Sequence, residues 1–414
     1  MPADKDIIVG LDVGSCAVRI AVGQRLNEED AKPQIIGIAE APAEGINRGV
    51  ITSIEEAVSS ISSCLEKTER LTGVPVEKVW AGISGTHITS QESRGVVAVS
   101  KPNGEIVEPD VERAIEAART VATPPNYEIL HVIPKSFTID GQSGIKDPIG
   151  MNGVRLEVTT QIIQGVSAQI KSLTKAIYRT GVDIEDVVLS ILATAEAVLT
   201  GRQRQLGTAV INIGGSTTSL AVFEEGDLLS VNILPIGSEH ITSDFAIGLR
   251  ISIDAAEKIK LEYGSALPKI FNKHDEINIG EFNGSESNFI SRKYISEIIE
   301  ARAEEIFDKI DAELKKIDRS GMLPGGVVIT GGGAKLDGLI EVSKRKLRLP
   351  SALGYPVGLT STVNKVNDLG FATALGLVLW GEQLQGSRQG NFRNFLNLKP
   401  LKSVTKKFKK LFRL

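Results

Sequence analysis

The sequence predicts an α/β protein of two related lobes, one of them interrupted by a small α+β unit. Three observations carry that expectation. Residues 9–22 (VGLDVGSCAVRIAV) and 209–222 (AVINIGGSTTSLAV) align without gaps at an offset of 200 residues. Strands and helices follow each copy in turn, the mixture expected of layered α/β domains. Between residues 82 and 165, short strands around one helix break the first series, which resumes beyond them.

Each copy of the repeat reads as a short apolar strand, a Gly/Ser turn and a second β-rich strand, which is a hairpin pattern. The period is too long for a solenoid and points to two domains that open alike. After the first hairpin, residues 35–41 and 79–83 read as strands. Residues 53–71 read as a helix, with Ile54, Val58, Ile61 and Leu65 at helical spacing, Ser53 as N-cap and Gly73 as stop. The interrupting stretch holds a helix over 109–121 and turn clusters at 101–104, 123–126 and 141–152. A structureless loop of this length is uncommon in a folded domain, so an inserted domain is expected. The first unit resumes with a helix over 168–180 and a strand over 183–191. In the second half, 226–235 reads as a strand, 254–263 as a helix and 291–317 as a long helix with Ile295, Ile298, Ile299, Ile306 and Ile310 on one face. Residues 327–330 form a short β-branched strand that ends in Gly331-Gly332-Gly333, with a helix expected from about 335–337.

The expected organisation is a first lobe at 1–82 and 166–200, with 370–382 returning to it, and an insert at 83–165. A second lobe spans 201–250 and 326–369, with an upper subdomain at 251–325. A Gln/Gly/Asn/Ser-rich linker at 383–399 and a helix at 400–414 follow.

Composition excludes several classes. The chain has 414 residues, 42% apolar and 24% charged, a soluble globular balance rather than a disordered one. No run of about 18 apolar residues is present, and the N-terminus lacks a secretory pattern, so a cytosolic setting is expected. Two cysteines and four histidines are too few and too scattered for a disulfide framework or a structural zinc site. The net charge of −4 hides a division: nine basic and no acidic residues lie from Gln383 onward, leaving −13 on residues 1–382. That asymmetry suggests an acidic body with a basic tail for an anionic partner.

The two Gly/Ser turns can present backbone N–H groups to phosphate oxygens, because small residues allow close approach. The residues concerned are Gly14 and Ser15 in the first turn, and Gly214, Gly215, Ser216, Thr217 and Thr218 in the second. Asp12 at the end of the first strand can hold Mg²⁺ through water. Either turn alone is compatible with an ordinary tight hairpin; two facing each other would clamp phosphates in an interdomain cleft. The Gly331–Gly333 backbone can accept a flat adenine ring. Glu257 and Lys260, spaced i,i+3 on a helix, can address one ligand or merely form a surface ion pair. Cys16 has no His beside it and reads as a small buried residue rather than a nucleophile.

On a helical wheel Leu401, Val404, Phe408, Leu411 and Phe412 share one face, while Lys402, Lys406, Lys407, Lys409, Lys410 and Arg413 fill the rest. This is the pattern of a helix lying in a membrane interface. A nucleic-acid arm would not need the Phe/Leu stripe; a helix-binding groove or domain docking are the other readings.

The order of GLDVGSCAVRIAV (10–22), INIGGSTTSLAVF (211–223), AEKIK (256–260) and VVITGGGAKLDGL (327–339) resembles the actin/Hsp70/sugar-kinase nucleotide-binding superfamily. Within it the stretches GVITSIEEAV (49–58), AGISGTHITS (81–90), ILHVIPKSFTIDGQ (129–142), DPIGMNGVRLEV (147–158), IGSEHITSDFAIGL (236–249) and ATALGLVLWG (372–381) are similar to the FtsA family of bacterial cell-division proteins. The resemblance spans nearly the whole chain. It implies an actin-like fold with an inserted subdomain, and ATP with Mg²⁺ in the central cleft. The phosphates would lie on Asp12, Gly14, Ser15, Asn212, Gly214, Gly215, Ser216 and Thr217. Glu257 and Lys260 would meet the ribose and adenine, and Gly331, Gly332 and Gly333 the adenosine. It further implies self-assembly into filaments on the cytoplasmic face of the membrane at the septum, and tethering of the FtsZ C-terminal peptide, with Arg302 as its contact. Later division proteins would meet the insert, and no nucleic acid is implied.

Three positions depart from the family pattern: Asn212 and Ser219 stand where Asp is usual, and Ser216 where Gly is usual. Loss of a carboxylate at 212 should damage hydrolysis more than binding, so an ATP-binding structural protein rather than an enzyme is expected. The alternatives are a PilM-like scaffold of the type IV pilus system, against which the basic tail argues, and a sugar kinase.

Overall fold

The computed structural model describes residues 7–25, 32–120, 123–272, 274–283, 288–361 and 363–386. The proposed membrane helix, and the linker beyond Gly386, lie outside the described residues.

The repeat folds twice in the same way. Ile7–Val13 pairs antiparallel with Ala17–Gln24, and Thr208–Ile213 with Thr218–Glu224. The registers match at the 200-residue offset: Asp12 faces Arg19 as Asn212 faces Ser219, and Val9 faces Val22 as Ala209 faces Val222. A third antiparallel strand extends each hairpin, Gln34–Pro42 in the first lobe and Asp227–Leu234 in the second. On its other side each first strand gains one parallel neighbour, which in turn pairs with a second parallel strand. These are Lys78–Ile83 and Asp183–Leu189 in the first lobe, and Val327–Thr330 and Ser351–Leu353 in the second. Each turn therefore sits at the carboxyl end of a central strand, where open α/β sheets bind ligands.

The amphipathic helices form as patterned. Ile54–Thr72 begins at Ser53, whose side chain accepts from the Glu56 amide, and stops at Gly73 in the left-handed region, whose N–H donates to Glu69 at 2.8 Å. It buries Ala57, Ile61, Cys64 and Leu65 against the first sheet. Arg292–Lys316 buries Ile295, Ile299, Ala303, Ile306, Phe307, Ile310 and Leu314 in the core of the second lobe. The segment 251–325 shares that core with the second sheet.

The insert has its own core. Ile88–Ala98, Arg155–Val166, Tyr127–Ile139 and Gln142–Ile145 make a four-stranded antiparallel sheet, covered by helix Glu108–Thr120. Ile106, Val111, Ala114, Ala118, Phe137, Ile139, Leu156 and Val158 are buried between them. The chain leaves and rejoins the first lobe side by side, with Ile88 opposite Gly165, so the insertion leaves the parent sheet intact.

Three elements differ from the sequence expectation, and a fourth, Glu239–Leu249, is unassigned by it. The strand expected over 183–191 ends at Leu189, and Ser190–Val198 is a helix buried at every position. Glu239–Leu249 is also helical, although Ile241 and Thr242 are β-branched and weak helix formers. The helix expected from about 335–337 begins only at Leu339; a 3₁₀ turn, Gly332–Lys335, precedes it. The last helix, Ala372–Gly386, runs four residues into the segment assigned to linker. It packs in the first-lobe core through Ala374, Leu375, Leu377 and Val378. Helices buried all round carry no 3.6-residue stripe, so periodicity is silent about them.

Candidate functional site

The two turns meet across a cleft. Each is closed by a short backbone bond, Gly14 N–H to Ala17 O at 3.2 Å and Gly214 N–H to Thr217 O at 2.9 Å. A cavity of 590 Å³ lies between them. All thirteen residues expected at a nucleotide line it: Asp12, Gly14, Ser15, Asn212, Gly214, Gly215, Ser216, Thr217, Glu257, Lys260, Gly331, Gly332 and Gly333. These come from four separate stretches of chain and converge only through the fold.

Asp12 lies at the floor. Burial pushes its carboxyl up to about 6, partly opposed by the Arg19 guanidinium on the facing strand. Arg19 also reaches Glu40 at 3.3 Å and lies over the Phe371 ring. A desolvated carboxyl lining a cavity fits a cation bound through water.

Asn212 occupies the equivalent place in the second lobe. Its Nδ2 donates to Thr373 Oγ1 at 3.1 Å and is 3.4 Å from Thr194 Oγ1. The two threonine hydroxyls are 3.0 Å apart, and both belong to helices of the first lobe, so this neutral network joins the lobes. The Asn212 carbonyl lies against Gly331, where an added Cβ would fall 2.2 Å from Oδ1. Gly331 also has φ of +94°, a backbone conformation open to glycine alone.

Glu257 and Lys260 pair at the cavity, the lysine buried and the glutamate partly exposed. Lys260 is buried, its Nζ is 2.6 Å from Glu257, and it donates to Thr242 at 2.9 Å. Leu261 and Leu336 line the cavity with them.

Cys16 corrects an expectation. It is not a buried core residue but stands exposed on the cavity wall, donating to Glu239 Oε1 at 3.1 Å. Desolvation, with the hydrogen bond to Glu239, pushes its thiol up to about 12, which disfavours a nucleophilic thiolate.

Sequence reasoning missed Arg19, Ser190, Lys335, Asp337 and Thr373, which also line the cavity, and Glu239 beside it. Arg19 was readable in principle, because its hairpin register sets it opposite Asp12. The others depend on long-range packing.

Arg302 lies elsewhere, on the long helix of the second lobe. Its Nε and Nη2 each donate to Asp244 at 2.7 Å, and Nη1 to Glu305, which holds its pKa above the ordinary value. Among the described residues no helix is long and apolar enough to cross a membrane.

Two family models match the chain: "Cell division protein FtsA" over residues 209–376, and "SHS2 domain inserted in FTSA" over residues 85–164. The second match covers the insert. The chain is 35% identical to the cell division protein FtsA of Bacillus subtilis, across 94% of this chain and 87% of the relative. It is 32% identical to that of Pseudomonas aeruginosa (92% and 90%) and 30% identical to that of Escherichia coli K12 (92% and 91%). Among solved structures, a PilM–PilN type IV pilus biogenesis complex aligns with a TM-score of 0.65 at 16% identity, covering 90% of this chain and 98% of that one. MreB5 of Spiroplasma citri bound to ADP aligns with a TM-score of 0.54 at 14% identity, covering 93% and 99%. At such identities these two likenesses establish the actin-like fold alone. The sequence relatives, each matched over most of its length, go further: this chain belongs to the FtsA family of cell-division proteins, with an SHS2 domain inserted in its first lobe.

Proposed function

We propose that this member of the family binds ATP with Mg²⁺ in the interlobe cavity, polymerises on the cytoplasmic face of the membrane, and anchors the FtsZ ring there while its insert meets later division proteins. The observation that carries this reading is the convergence of both phosphate turns, the Gly331–Gly333 backbone and the Glu257/Lys260 pair on one cavity. Asp12 would hold the metal through water, with the Asn212 carbonyl as a neutral neighbour. Bound Mg²⁺ would offset phosphate charge; the protein's own groups position the ligand. The nucleotide acts as an assembly ligand, favouring the closed form of the cleft.

Arg302 remains the proposed contact for the acidic FtsZ C-terminal peptide. A guanidinium has five N–H groups, and Asp244 and Glu305 engage three of them, which leaves room for a further carboxylate. The deciding experiment is a pull-down with immobilised FtsZ C-terminal peptide against a PilN N-terminal peptide. Capture by the first alone, weakened in Arg302→Glu, is expected. Capture by the second alone would favour the pilus-scaffold reading.

Turnover is expected to be very slow or absent. Position 212 carries an amide, which cannot accept a proton or give a charged oxygen to a metal-bound water. Asn212→Asp should raise any residual ATPase rate. Purified wild type hydrolysing ATP at about 1 s⁻¹, an ordinary enzyme rate, would contradict this account.

A further inference from the structure

The two phosphate turns are fastened together by a side chain that belongs to neither. Glu239, the first residue of helix Glu239–Leu249, accepts the Cys16 thiol on Oε1 at 3.1 Å and the Ser216 hydroxyl on Oε2. Cys16 lies in the first lobe; Ser216 and Glu239 lie in the second. The Glu239 amide also donates to Gly215 O at 2.9 Å, which fixes the carboxylate beside the second turn. The approach is close: a Cβ added to Gly215 would fall 2.0 Å from Cys16 Sγ and 3.2 Å from the Glu239 carboxyl carbon. Because the thiol stays protonated, it remains a donor to the carboxylate.

A polyphosphate lying between the turns needs the same hydroxyl and thiol donors, and it carries charge of the same sign as Glu239. The cations that line the cavity are already engaged. Arg19 is 3.3 Å from Glu40, Lys260 is 2.6 Å from Glu257, and Lys335 is 2.7 Å from Asp368. Repulsion from Glu239 therefore stays uncompensated by protein charge, and it increases with each added phosphate.

We propose that Glu239 is a specificity-determining clasp. It ties the phosphate turns together across the cleft, and its carboxylate discriminates against the triphosphate relative to the diphosphate. The proposal rests on the nucleotide reading above. Specificity is a difference of affinities, so the test is a ratio.

Dissociation constants for fluorescent ATP and ADP analogues would be measured on the full chain at one fixed Mg²⁺ concentration. Glu239→Gln keeps the shape and one acceptor but removes the charge. It should shift the ATP-to-ADP affinity ratio towards ATP by about tenfold. Cys16→Ala releases the clasp from the opposite lobe while the charge stays. It should tighten both nucleotides by a similar, smaller factor and leave the ratio unchanged. Thermal melts confirm that each variant is folded, and Cys16→Ala supplies the second reading if Glu239→Gln is not. Normal nucleotide binding with an unchanged ratio in Glu239→Gln overturns the clasp alone, as does weaker ATP binding in that variant. A folded wild type that binds neither nucleotide overturns the nucleotide reading itself, and the clasp with it.

Discussion

Deleting residues 400–414, or replacing Phe408 by Glu, is expected to abolish co-sedimentation with vesicles that contain anionic lipid. Residues 1–382 carry a net −13, so the body is repelled by an anionic surface and the tail must supply the attraction. Each Lys or Arg near such a surface contributes about 1 kcal/mol. Each buried Phe or Leu adds roughly 1.5–3 kcal/mol at most. Ordering a short helix, which is marginal by itself in water, offsets part of this. The expected balance is reversible adsorption rather than insertion. Phe408→Glu removes one anchor from the centre of the apolar face and sets a carboxylate there, so both terms fall together. Raising salt should weaken wild-type binding without ending it, because screening reaches the lysines and not the Phe/Leu stripe. Equal pelleting of wild type, truncation and Phe408→Glu would refute the membrane assignment. Pelleting that salt alone abolishes would point to a purely electrostatic arm.

Where the sequence was readable, a pattern local to one segment set the outcome. The hairpin repeat placed Asp12 and Asn212 at equivalent ends of equivalent strands, and the register bears out that symmetry residue by residue. Helix Ile54–Thr72 follows from one apolar stripe and two caps. Ser190–Val198 has no exposed face, hence no stripe, and its first two residues read as strand. The cavity divides in the same way. Its glycine turns announce themselves locally by composition. Thr373 becomes part of it only because the last helix returns to the first lobe and meets Asn212, 161 residues away. Glu239 likewise meets Cys16 across 223 residues. Cys16 reads as a small buried residue from its type alone, whereas the turn projects it into the cleft.

Asp12→Asn should separate stability from binding more sharply than any other single change at this site. Burial raises the Asp12 carboxyl from 3.8 to about 6 in the folded, ligand-free protein. The sign follows from linkage. A carboxyl whose folded pKa exceeds its unfolded value favours the fold while protonated, so that contribution is complete below about 3.8 and is lost as pH rises through about 6. Above that range the fold carries a buried anion, compensated only in part by Arg19, itself shared with Glu40. Asn keeps the size and cannot ionise. At pH 8 the ligand-free variant should therefore be more stable than wild type, by about 1–3 kcal/mol, and the difference should shrink towards pH 4. Binding should move the other way. If Asp12 holds Mg²⁺ through water, the gain in ATP affinity on adding Mg²⁺ should fall at least tenfold in the variant, about 1.4 kcal/mol. In wild type the same gain should decline as pH drops below about 6, where the carboxyl takes up a proton. Melting curves at pH 5 and 8 and nucleotide titrations with and without Mg²⁺ measure both halves. A variant less stable at pH 8 would show that Asp12 supports the fold as an anion. One that keeps its full Mg²⁺ dependence would move the metal to other ligands. The two results together would mean that the charge at this position serves the fold, and that the resemblance between the two hairpins is architectural only.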